Sequence, residues 1–82
     1  MNFTTEELRH LCFVTRVDLN GTRSTLEDIK HCVKHSKKRK DPQHIIDDHI
    51  SFRDHLKIRV KNEQALLTKL EHQFFAQGGT FE

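Results

Sequence analysis

The sequence has no tryptophan and no tyrosine, and only one proline and three glycines among 82 residues. With so few turn-formers it cannot be a turn-dense all-β chain or a low-complexity linker. Two cysteines, Cys12 and Cys32, are too few for a disulfide-built scaffold. No apolar run exceeds the stretch from Leu11 to Val14, against the roughly twenty residues a membrane helix needs. Glu6 and Glu7 stand where a secretory leader would be basic, so an intracellular, cytoplasmic chain is expected. Apolar residues make up 34% and charged residues 32%, which is thin material for a self-sufficient core. The length leaves room for one domain and excludes a Rossmann sheet or a multidomain enzyme. A small all-α domain over residues 1–82 remains.

Helix signals are present in quantity. Thr4 with Glu7 forms a capping box, and Phe3 with Leu8 occupies the staple positions, so a first helix is expected over about 5–19. Asn20-Gly21 reads as its stop, because both residues tolerate the left-handed conformation. Ser24 and Glu27 repeat the box and predict a second helix over about 25–38, striped by Leu26, Ile29, Cys32 and Val33. Asp41-Pro42 forces a break and a restart. A third helix over 42–76 would be roughly 50 Å long, ended by Gly78-Gly79, with a tail over 77–82 that is frayed from Thr80 to Glu82.

Folding the first two helices back about residues 21–23 would pair positions adding to about 44. Leu11 would then face Val33, and Cys12 would face Cys32 closely enough to crosslink. One continuous helix through Gly21 is the competing arrangement, at a cost of about 1 kcal/mol. In the third helix, Ile46, Arg53, Val60, Leu67 and Phe74 fall at heptad position a, with His49, Leu56, Glu63 and Leu70 at d. Arg53 and Glu63 interrupt this seam.

Two surfaces are candidates for function. A short hairpin would cover only half of the long helix, leaving Val60, Leu67, Leu70 and Phe74 to bind a protein partner or a second copy of the chain. The run Lys34, Lys37, Lys38, Arg39 and Lys40, with no acid inside it, is the alternative: an electrostatic or nucleic-acid contact. No aromatic residue interleaves with the run, which serves single-strand stacking poorly. His31, His35 and Cys32 lack the spacing of a zinc motif, and no serine sits in a nucleophile elbow. No catalytic residue, metal or cofactor is therefore expected.

The opening Phe3-Thr4-Thr5-Glu6-Glu7-Leu8 and the closing Asn62 to Glu71 stretch, with Leu66-Leu67-Thr68-Lys69-Leu70-Glu71 at its end, resemble short bacteriophage α-helical accessory proteins. Soluble helical lysis-inhibition proteins of the T-even phages are similar in size and kind. That resemblance implies a capped first helix packed on the last helix, no catalytic residues, a phage or host protein as partner, and the host cytoplasm as location.

Overall fold

Thr4 caps the first helix as its spacing predicts. Its Oγ1 accepts from the Glu7 N–H at 3.1 Å, while its own N–H donates to Glu7 Oε1 at 3.0 Å. From there the computed structural model, which describes residues 3–81, departs from the expected three helices. Helix α1 runs from Thr5 to Arg39, and helix α2 from Gln43 to Ala76. The two lie antiparallel as a helical hairpin, with no strand among the described residues. The rod measures 54 × 25 × 13 Å, two helices wide and one thick.

The expected break at Asn20-Gly21 is absent. A mid-helix glycine costs about 1 kcal/mol, less than burying even one leucine returns. Continuity places Leu19, Thr22 and Leu26 together on the face toward α2, and all three are buried. The Thr22 and Thr25 hydroxyls donate to the carbonyls of Asp18 and Gly21, one turn back in the same helix. The Ser24–Glu27 box is therefore not used as a cap. Cys12 and Cys32, expected to face each other, lie on one helix some 30 Å apart at 1.5 Å per residue. Both are free, Cys12 buried and Cys32 exposed.

Continuity also gives α1 a heptad. Cys12, Leu19, Leu26 and Val33 form one buried column seven residues apart; Leu8, Thr15, Thr22, Ile29 and Ser36 form the other, buried or half-buried. With the first column lettered a and the second d, α2 answers with the seam read from its sequence. Ile46, Arg53, Val60, Leu67 and Phe74 at a, and His49, Leu56, Glu63 and Leu70 at d, are all buried or half-buried. Facing positions add to about 82–85, as in Thr5 with Gln77 and Ser36 with His49. The apolar core concentrates at the open end, in Leu8, Cys12, Leu19, Leu67, Leu70 and Phe74.

Both helices end on the same device. Lys40 adopts φ 57° and ψ 44°, and the Asp41 N–H donates back to the Ser36 carbonyl at 3.0 Å. Gly78 has φ 84°, and the Gly79 N–H reaches the Phe74 carbonyl at 2.9 Å. These are Schellman-type caps, one on lysine and one on glycine. A Cβ at Gly79 would overlap the Phe74 ring, which is fully buried. The tail is not frayed over its described part: Phe81 packs on Phe74 with centroids 4.5 Å apart and lies under Arg16. Glu82 lies outside the described residues. The Gln77 side chain closes the open end, its amide donating to the Phe3 carbonyl and accepting from the Thr5 hydroxyl.

Candidate interaction surfaces

The four residues expected to meet a partner are part of the hairpin's own core. Leu67, Leu70 and Phe74 are buried, Phe74 at 0% exposure, and Val60 packs against the same cluster. The expectation assumed a first helix half as long as the last. With α1 and α2 of equal length, the whole seam is covered from within.

The basic run divides into two parts. Lys34, Lys37 and Lys38 are exposed on the last turns of α1, where cations also suit the negative end of the helix dipole. Arg39 and Lys40 build the turn: the Arg39 guanidinium donates to Asp41 Oδ2 at 3.0 Å, and Lys40 supplies the left-handed cap. The Arg39 guanidinium, helped by the nearby Ser36 hydroxyl, holds the Asp41 carboxyl below its ordinary pKa against the opposing effect of desolvation. Ser36, fully buried, also lies 3.0 Å from His49 Nδ1. Serine, histidine and aspartate thus meet at the closed end with the serine in the middle and out of solvent. A nucleophile would need to be accessible with the histidine between it and the acid. This cluster instead ties the turn to both helices.

A second polar layer crosses the seam at mid-rod. Thr22 Oγ1 lies 3.1 Å from both carboxylate oxygens of Glu63, and Arg59 Nε donates to Glu63 Oε1 at 2.7 Å. The seam interruption at Glu63 is therefore a satisfied one. Burial raises the Cys12 thiol pKa, reinforced by Glu71, which makes it a poor nucleophile. No three His, Cys, Asp or Glu side chains converge on one point among the described residues. No helix among them is long and apolar enough to cross a membrane.

What the sequence reading missed lies on the two long edges of the rod. At position e of α1 stand Arg9, Arg16, Arg23, Lys30 and Lys37, five exposed cations at seven-residue intervals along roughly 42 Å of helix. Arg23 Nη2 donates to Gln64 Oε1 at 2.7 Å, which places the e positions of both helices on this edge. Its α2 members are Ile50, Lys57, Gln64 and Glu71. The opposite edge carries the g positions. An open groove there is lined by Val17, Gly21, Thr25, Phe52 and Arg59. Leu66 and Phe52 on α2 are 49% and 47% exposed, with half-buried Ile45 and Leu11 in the same columns and Val14 beside them. One edge is thus cationic and the other largely apolar. The seven-residue spacing of the cations is visible in the sequence only if the helix continues through Gly21. No family model, curated protein or solved structure matches the chain.

Proposed function

We propose that this chain is a non-enzymatic protein-interaction module, a two-helix rod that binds through its apolar g edge and keeps its cationic e edge in water. The observation that carries this reading is the segregation itself. Phe52 and Leu66 stand nearly half exposed on an edge where α1 contributes Leu11, Val14 and Val17, while every α1 residue of the other edge column is a cation. Exposed aromatic and aliphatic residues gathered on one flank are the ordinary mark of a binding surface. A small accessory or regulatory protein of a bacteriophage, acting on a phage or host protein as in lysis control, is the setting consistent with the likeness of the two chain ends. Those ends, Phe3 to Leu8 and Asn62 to Glu71, form the arms of the open end.

The test is capture with immobilised full chain. Phe52→Asp and Leu66→Asp should abolish specific retention of a partner while leaving helicity intact. Retention unaffected by both substitutions would reject the reading.

A polyanion is the second reading, favoured by the Arg9-to-Lys37 column running into exposed Lys34 and Lys38. It requires DNA or heparin retention that falls with salt and is lost when Arg16, Arg23, Lys30 and Lys37 become Ala.

A further inference from the structure

We infer that the occupant of the g edge is a second copy of this chain, bound antiparallel so that two hairpins complete a four-helix bundle. This rests on the reading of the g edge as the binding surface and names its partner.

Three observations lead to it. The first is area. A 9.7 kDa monomer of ordinary compactness exposes about 5,100 Å², whereas this rod exposes 6169 Å². The excess, about 1,000 Å², is comparable to the roughly 800 Å² each partner buries in a stable interface. A rod only 13 Å thick has one seam and no second layer, and a copy laid along the g edge supplies that layer.

The second is pattern. Apolar side chains at a, d and g present a face wide enough for two neighbours, whereas a and d alone serve one. Ile45, Phe52 and Leu66 at g of α2, with Leu11 at g of α1, widen the stripe on that side, whereas the e columns hold one large apolar residue, Ile50. Packing through the other edge would set the Arg9-to-Lys37 column against its own copy, and like charges would repel.

The third is symmetry. A twofold interface must be complementary to itself. Along the g edge, Leu11 and Leu66 lie toward the open end and Phe52 and Ile45 toward the closed end. Exposed Asp18 lies level with Leu66, and exposed Arg59 lies near the midpoint of the rod. An antiparallel copy brings each apolar group onto the other, while Arg59 at the midpoint keeps Glu63 of its own helix as its partner. It also keeps the two Lys34–Lys40 ends apart.

Sedimentation equilibrium on the full chain tests the inference, with circular dichroism to verify folding. The wild type should be a dimer. Phe52→Asp and Leu66→Asp should each weaken it at least a hundredfold, since both copies lose a buried side chain, and should leave a helical monomer. Phe13→Asp and Ile58→Asp, exposed on other faces, should leave the dimer intact. A wild type that stays monomeric at millimolar concentration overturns the inference. So does a dimer that ignores the g-edge substitutions or yields to Phe13→Asp. A monomer whose heterologous partner is lost on Leu66→Asp would end this inference and leave the broader reading of the edge standing.

Discussion

Replacing Gly21 by Ala should make the protein more stable, and the size of the gain follows from its surroundings. Residue 21 lies in the interior of α1, without a positive φ. A Cβ built there meets nothing within 4 Å. With no steric conflict to offset it, the full helix-propensity difference applies, about 1 kcal/mol in favour of Ala. In a domain of this size that corresponds to a rise in melting temperature of about 4–8 °C. Thermal and urea unfolding followed at 222 nm, with both proteins at one concentration, measure it. The urea midpoint should rise at an unchanged slope. If the chain turned at Asn20-Gly21, Ala would be neutral or destabilising, because a left-handed glycine would have been lost. A lower melting temperature for Gly21→Ala would therefore refute the continuous helix, and with it the register assigned to both edges.

Lys40 holds a left-handed conformation that costs a non-glycine residue about 1 kcal/mol, so Lys40→Gly should raise the melting temperature by several degrees. Asp41 is held below its ordinary value of 3.8 in the fold, so its carboxylate contributes stability above that pH and loses it as pH falls through the folded value. Asp41→Asn should be less stable than wild type at neutral pH, and the two unfolding curves should converge in acid; parallel curves would show that Asp41 is not the source. Leu67→Asp places a charge in the core at 5% exposure and should cost about 3–5 kcal/mol, unfolding the chain rather than only detaching a partner. A thiol reagent should label Cys32 quickly and Cys12 only on unfolding, which stopped-time alkylation with mass analysis would show.

Much of α2 was legible from its residues. The heptad through Ile46, Val60, Leu67 and Phe74 is the seam that packs, with Arg53 and Glu63 inside it. Thr4 and Glu7 marked the first cap correctly, and Asp41-Pro42 marked the turn. The failure was local evidence overruled by packing. Asn20-Gly21 and Ser24–Glu27 are genuine end signals, each worth about 1 kcal/mol, but they compete with a continuous buried column from Leu8 to Ser36. Once the chain is cut at Gly21, the stripe of α1 no longer registers with α2. The core of α2 then looks like an unpartnered surface. The same error hid both edges, because a column such as Arg9, Arg16 and Arg23 spans the false break. The role of Lys40 was hidden for another reason: its unusual φ comes from the geometry of the turn and not from its residue type.

The placement of the strongest contacts has a kinetic consequence. In an ordinary helical hairpin the turn is the natural place to begin, since closing it costs the least chain entropy. Here the layers nearest the turn mix buried Val33 and Ile46 with Ser36, His49 and Arg53, while Leu8, Cys12, Leu70 and Phe74 meet at the far end, about sixty positions apart in the chain. A zipper starting at Lys40 crosses layers that are only half apolar before it reaches Leu26 and Leu56. One starting at the open end must close nearly the whole chain as a loop. Neither route offers a comfortable halfway state. The consequence is all-or-none assembly, in which the open-end turns of α1 and α2, usually the first parts of a hairpin to fray, become as protected as its centre and exchange their amide hydrogens only when the whole rod opens.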